Sequence, residues 1–212
     1  MKEWFEDDSL WRELYPVMFP EDRFRLGEEQ VPKILILTGF EGVADLAALD
    51  LCCGPGRHAL PLARRGARVT AVDRTRYLLD RARERARLAG LSIDFVEADM
   101  REFRREAVFD LALSLFTSFG YFAAREDDLT VLQNVRAGLR PGGAFVIDVV
   151  GKEWLARHFQ PTRSTAFPDG SVLSIAARWS TTGPGWRTSG SLSETGALAP
   201  FGYACPCTPG RS

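Results

Sequence analysis

The chain has 212 residues, of which 45% are hydrophobic and 26% charged, with a formal net charge of −1. That length suits one domain of ordinary size with a real core, and the near-neutral balance supplies no basic field for nucleic acid. No apolar run approaches the roughly 20 residues of a membrane span, so neither nucleic acid nor a membrane is an expected partner.

The N-terminus, Met1-Lys2-Glu3-Trp4-Phe5-Glu6-Asp7-Asp8, is acidic and lacks the apolar segment of a signal peptide, which points to the cytoplasm. Cys52 and Cys53 are neighbours and Cys205 and Cys207 form a lone Cys-Pro-Cys, so the four cysteines make no disulfide framework. A zinc site would need a second ligand pair at suitable spacing, and His58 and His158 are the two histidines, so no metal is expected.

In chain order, residues 3–15 alternate acidic and aromatic side chains and predict a short amphipathic helix ended by Pro16. Residues 21–38 predict a second helical region in which Pro32 marks a break or a first turn. Together residues 1–40 read as an N-terminal helical lid, from which Tyr15 could reach the mouth of a site. Residues 41–160 then alternate strictly. Strands are predicted at about Ala47–Cys52, Ala67–Val72, Ile93–Glu97, Phe109–Phe116 and Ala144–Val150, and helices at about Arg57–Arg65, Arg76–Ala89 and Arg125–Leu139. Apolar strands alternating with helices imply an α/β fold: a Rossmann-like, doubly wound, mostly parallel sheet with helices on both faces. In such sheets ligands bind outside the carboxyl ends of the strands, at the switch point beside the first strand. The arginine-rich second helix buries Leu78, Leu79, Ala82, Ala86 and Ala89 and turns its arginines to solvent.

The ligand is read from the first strand and its turn. Gly54 and Gly56 permit a tight bend, and the following helix points its free N–H groups into the same space. Gly54-Pro55-Gly56-Arg57-His58-Ala59 satisfies G-x-G-x-x-A, and Asp73 follows at about the spacing of a ribose-binding acid. A nicotinamide-dependent oxidoreductase therefore competes, as does a non-catalytic nucleotide-binding module. Asp50 argues against the oxidoreductase: a carboxylate inside the first strand repels a diphosphate and suits an amine-bearing ligand. A second acid, Asp99, beside apolar Met100 at the end of the third strand, can meet an adenine amine and ring.

Leu49-Asp50-Leu51-Cys52-Cys53-Gly54-Pro55-Gly56, Val72-Asp73, Glu97-Ala98-Asp99-Met100 and Leu139-Arg140-Pro141-Gly142-Gly143 resemble, in order, the motifs of class I S-adenosylmethionine-dependent methyltransferases. The resemblance covers about Trp4 to Trp179. It implies S-adenosyl-L-methionine as cofactor and methyl transfer to a small-molecule acceptor. By that resemblance Asp50 and the turn through Cys52, Gly54 and Gly56 hold the methionine part. Asp73 holds the ribose hydroxyls, with Arg74 beside it in the cofactor site. Asp99 and Met100 frame the adenine, and Leu115 lies by the methyl-transfer end. Cys52 stands where the family has its first glycine. The sulfonium methyl is already activated, so the protein has to align the acceptor and exclude water. Phe116 to Tyr121 would line the acceptor side. Tyr15 and His158 are the candidate catalytic residues, and His58 reads as a packing or hydrogen-bonding residue.

Residues 161–179 read as the start of a C-terminal strand region. After Trp179 the composition changes: Gly, Pro, Ser and Thr fill most of residues 180–212, which predicts an irregular tail. Read from the third base of each codon, Trp179 to Ser191 permits Val-Asp-Asp-Trp-Thr-Arg-Val-Glu-Asn-Glu-Trp-Ile. We read this tail as the product of a shifted reading frame, in which case the sheet lacks its last strands and the fifth strand becomes an apolar edge. The nucleotide sequence tests that: an early stop in the alternative frame ends the idea.

Overall fold

The computed structural model describes residues 4–40, 42–166, 172–179, 186–194 and 197–205. The chain divides into two compact units, Trp11–Val149 and the described residues of Met1–Leu10 with Val150–Ser212.

After a single 3-10 turn at Trp4–Glu6, helix α1 spans Asp8–Met18 and α2 spans Glu21–Thr38. Both contain the proline that the sequence reads as a boundary. Helix α1 does not end at Pro16: the Phe19 N–H still bonds the Tyr15 carbonyl at 2.9 Å. Arg12, whose carbonyl loses its partner to the proline, is exposed to water. In α2, Pro32 deprives the Glu28 carbonyl, and Arg65 Nη2 donates to it instead at 3.4 Å. Gly39, at φ 76°, closes α2 through its N–H to the Ile36 carbonyl.

Then follow β1 (Ala47–Leu51), α3 (Ala59–Arg64), β2 (Arg68–Asp73), α4 (Arg76–Leu88), β3 (Asp94–Glu97), β4 (Phe109–Ser114), α5 (Arg125–Gly138) and β5 (Leu139–Ile147). The five strands form one sheet in the order β3-β2-β1-β4-β5, and every pairing is parallel. Strand β1 is central and buried along its whole length because helices cover both faces. On one face Ala48, Val69, Ala71, Leu111 and Leu113 pack with Val31 and Leu35 of α2, Leu62 of α3 and Leu79 of α4. On the other, Leu49, Leu51, Val72 and Ala112 pack with Val131 and Val135 of α5. Each fully buried leucine contributes about 1.5–3 kcal/mol.

Several boundaries shift from the sequence reading. Strand β5 already begins at Leu139, so Arg140 to Gly143 lie within it rather than in a turn before it. Arg140 Nη1 holds both carboxylate oxygens of Asp110 at 2.9 and 3.0 Å, and the ladder shifts register between Phe109 and Leu111 to admit the extra residues. On α4, Leu78, Leu79, Ala82 and Ala86 are buried, but Ala89 is exposed as the C-cap.

The second unit contains α6 (Lys152–His158) and four strands, β6 (Thr162–Ala166), β7 (Val172–Trp179), β8 (Trp186–Glu194) and β9 (Ala197–Cys205). They form a separate antiparallel sheet in the order β6-β7-β8-β9. The tail expected to be irregular thus pairs its backbone over 186–194 and 197–205, with Trp179 opposite Trp186 and Trp186 opposite Cys205. A weakly charged chain rich in Ser, Thr and Gly can satisfy its N–H and C=O groups in a meander even where its pattern predicts no core. The remaining tail positions, Cys207 included, lie outside the described residues. Strand β5 is an edge of its own sheet, and Ile147 at its end is exposed.

Candidate functional site

The chain leaves β1 through a turn whose residues alternate into the left-handed region: Cys52 at φ 61°, Gly54 at φ 54° and Gly56 at φ 86°. A Cβ on Gly56 would lie 2.3 Å from Leu60 Cδ1, so this glycine lets the turn close onto α3. Cys52 takes a conformation that favours glycine, which is the physical meaning of the departure noted in the sequence. Its thiol lies 3.6 Å from Met100 Sδ. Burial pushes the Cys52 and Cys53 thiols well up, so both stay protonated.

Three carboxylates stand at the carboxyl ends of β1, β2 and β3. Asp73 accepts from the Gly54 N–H through Oδ2 and from the Thr75 N–H through Oδ1, each at 2.8 Å. Burial raises its pKa against those bonds. Asp50 is buried and its Oδ2 has no partner among the described residues. Burial pushes its pKa up to about 7, opposed by a bond from the Ala59 N–H and by Arg57. Asp99 holds Arg101 in a fork, Oδ1 to Nε at 3.0 Å and Oδ2 to Nη2 at 2.8 Å. Burial raises the Asp99 carboxyl, but the Arg101 bonds outweigh it and the net shift is downward. Arg74 Nε stands 3.8 Å from Asp99 Oδ2. Cys52, Gly54, Asp73, Arg74, Asp99 and Met100 are thus brought together around one turn, with Asp50 beside them on β1.

Helix α2 roofs this turn. A Cβ on Gly27 would sit 2.3 Å from the Arg57 carbonyl oxygen, so the helix backbone approaches that closely only as glycine. One turn on, Gln30 Oε1 lies 2.9 Å from His58 Nε2. Since an amide oxygen only accepts, Nε2 carries the proton. Burial, with Arg57 adding, pushes the His58 pKa down to about 3, so the ring is neutral and serves as a tie between α2 and α3.

The two candidate catalytic residues are not shown together. Tyr15 packs on Phe19 and Tyr77, at 5.4 and 5.7 Å between ring centroids, and the Arg81 guanidinium lies 5.8 Å from its ring centre. These contacts place it with α4 and, through Phe19, with the glycine turn. His158 belongs to the second unit, stacked on Trp154 at 4.4 Å. Its Nδ1 lies 2.8 Å from the Trp154 carbonyl oxygen, which leaves Nε2 as the acceptor nitrogen.

Where β4 ends, Leu115 is buried, and Phe116 and Thr117 adopt φ 57° and φ 56°. Non-glycine residues hold such angles only where the surroundings impose them. Here the Thr117 N–H bonds the Asp148 carbonyl at 2.9 Å and the Phe116 N–H its Oδ2 at 3.3 Å. The Arg57 guanidinium lies 2.9 Å from the centre of the Phe116 ring. Ser114 Oγ is buried without a partner among the described residues. Arg57, Arg23, Ser114 and Asp148 receive no role in the sequence reading. A cation separated only by His58 from the apolar run Ala59-Leu60-Pro61-Leu62 is the local signal that Arg57 is buried.

A five-stranded parallel sheet with a left-handed glycine turn at its switch point defines a doubly wound nucleotide-type binding fold. Residues 48–143 match the family model described as a methyltransferase domain. Over 122 residues the chain is 34% identical to a cypemycin N-terminal methyltransferase from Streptomyces sp, covering 58% of this chain and 49% of that protein. An S-adenosylmethionine-dependent methyltransferase from Clostridium acetobutylicum ATCC 824 superposes with a TM-score of 0.68 at 16% identity, over 93% of this chain and 78% of that one. An amino pentose methyltransferase from Micromonospora echinaspora, with SAM bound, gives 0.67 at 20% identity, over 91% and 83%. The chain spans about half the length of the curated relatives it matches. Residues 48–143 are therefore similar to a methyltransferase domain, and the chain shares the fold of S-adenosylmethionine-dependent methyltransferases. No helix among the described residues is long and apolar enough to cross a membrane.

Proposed function

We propose that the chain is an S-adenosylmethionine-dependent methyltransferase that moves a methyl group to a small-molecule acceptor by in-line displacement. The observation that carries this reading is the pairing of a buried, half-vacant carboxylate with the glycine turn. Asp50 Oδ2 has no partner among the described residues, and the Asp73 carboxylate fixes the Gly54 N–H beside it. A buried carboxylate oxygen without a hydrogen-bond donor is costly, so the site fits a ligand that brings an ammonium group. It fits a diphosphate poorly, which weighs against the nicotinamide alternative.

When bound, the cofactor supplies a methyl group on a sulfonium, already activated toward a nucleophile. The residues present supply placement. Asp50 would hold the ammonium and, in doing so, stay ionised. Asp73 and Arg74 would face the ribose, and Asp99 and Met100 the adenine. Leu115 and Phe116, after β4, would exclude water from the acceptor side. A base is required only if the acceptor must lose a proton early. In that case Tyr15→Phe or His158→Gln is expected to lower kcat by about a hundredfold or more. The two free thiols, Cys52 and Cys53, suit a reducing compartment such as the cytoplasm.

Calorimetric titration with S-adenosylhomocysteine, with NADH as comparison, tests the reading. Binding of the former that is lost in Asp73→Ala supports it. Binding of NADH alone by a folded sample rejects it.

A further inference from the structure

Arg57 is only 9% exposed, yet its Nε has no hydrogen-bond partner among the described residues. Burying a cation without an anion is unfavourable, and proteins ordinarily resolve it with a bonded carboxylate. Here the guanidinium instead lies over the Phe116 ring, its Cζ 2.9 Å from the ring centre. A second guanidinium, Arg23 on α2, stands 5.9 Å from the same ring. Burial, with the repulsion of Arg23 adding to it, brings the Arg57 pKa down to about 10, which leaves Arg57 charged at neutral pH.

The charges facing Arg57 come from each neighbouring element. Arg23 comes from α2, Asp50 from β1 and Asp148 from the end of β5. Asp148 is exposed, with Oδ2 on the Phe116 N–H. The planar fork of a guanidinium fits a carboxylate in two parallel bonds. Phe116, over which the guanidinium lies, follows Leu115 directly and is held in a strained left-handed conformation.

We propose that Arg57 and Arg23 form a binding site for a carboxylate group on the methyl acceptor, so that the enzyme selects anionic acceptors. The assignment to the acceptor rests on the methyltransferase reading, which sets Leu115 and Phe116 at the methyl-transfer end.

The test uses the full chain. Arginine Nε–H resonances are followed by heteronuclear NMR, the Arg57 signal being assigned by its disappearance in Arg57→Lys. Sodium acetate is titrated into the free protein and into protein saturated with S-adenosylhomocysteine, with acetamide as the neutral isostere. Acetate is expected to move the Arg57 signal in the saturated protein. Acetamide should bind about tenfold more weakly or worse, since it forfeits a charge-assisted pair. Arg23→Gln, at an exposed position, should weaken acetate by severalfold.

The proposal is overturned if acetate leaves the signal in place in the saturated protein. A signal that moves only in the free protein assigns the guanidinium to the cofactor's own carboxylate. A signal that moves in neither means that no anion site exists. Failure of the cofactor reading shows itself separately, as absence of S-adenosylhomocysteine binding by calorimetry, and the acceptor assignment falls with it.

Discussion

The Gly54 N–H donates to Asp73 Oδ2 at 2.8 Å, tying the turn after β1 to the end of the neighbouring strand β2. The other oxygen of the same carboxylate takes the Thr75 N–H at the N-cap of α4. One side chain therefore sets both the glycine turn and the start of a helix. In Asp73→Ala two buried N–H groups lose their acceptor, at a cost of about 1–3 kcal/mol for each left unpaired. Asp73→Asn keeps one acceptor oxygen and should fall between. Urea denaturation of the three proteins checks the order, and equal midpoints for wild type and Asp73→Ala would remove this structural role.

Cys52 reverses the usual effect of glycine. At φ 61° a Cβ is strained, so Cys52→Gly should be more stable than Cys52→Ala by about 1 kcal/mol. Both variants lose the sulfur contact to Met100, which cancels in the comparison. Equilibrium unfolding measures it; an alanine variant as stable as the glycine variant would mean that the turn relaxes.

Asp50 makes stability depend on pH in a direction unusual for an aspartate. Its folded pKa, about 7, lies above the ordinary 3.8. The folded state thus binds the proton more tightly, and the stabilisation is complete below the ordinary value. It is lost as pH rises through about 7. Asp50→Asn abolishes this loss, so its stability relative to wild type should climb from about pH 4 to pH 8, by no more than about 4 kcal/mol. Thermal melts at pH 5 and pH 8 read the difference. In the same range S-adenosylhomocysteine should bind wild type more tightly as pH rises.

His58 acts in the opposite sense. Its folded pKa of about 3 lies below the ordinary 6.5, so its contribution is present above 6.5 and is lost as pH falls toward 3. His58→Gln should flatten the acid limb of the stability curve, whatever constant offset follows from changing the contact with Gln30. Urea midpoints at pH 4 and pH 7 test this: an unchanged difference between them would place the protonation elsewhere.

Local pattern carries much of the fold. Short apolar runs such as Ala47–Leu51 cannot be amphipathic helices, and their alternation with helical segments specifies a parallel sheet covered on both faces. The glycine turn and the carboxylates Asp50, Asp73 and Asp99 are equally legible, because each stands at a strand end that pattern alone locates. Element ends are less so. Pro16 and Pro32 read as boundaries, yet their orphaned carbonyls find water or Arg65.

The sequence by itself determined the order of strands and helices along the chain, the glycine turn at the carboxyl end of the first strand and the acids beside it. Tertiary structure decided what those elements do to one another. It set Gly27 against the Arg57 backbone and Gln30 on His58. It forced Cys52, Phe116 and Thr117 into left-handed angles, and it laid a buried guanidinium on an aromatic ring. Those outcomes depend on contacts between residues tens of positions apart, whose burial and electrostatics no local pattern encodes. Hydrophobic periodicity tells which face of an element is buried, but only packing tells which charge is buried with it.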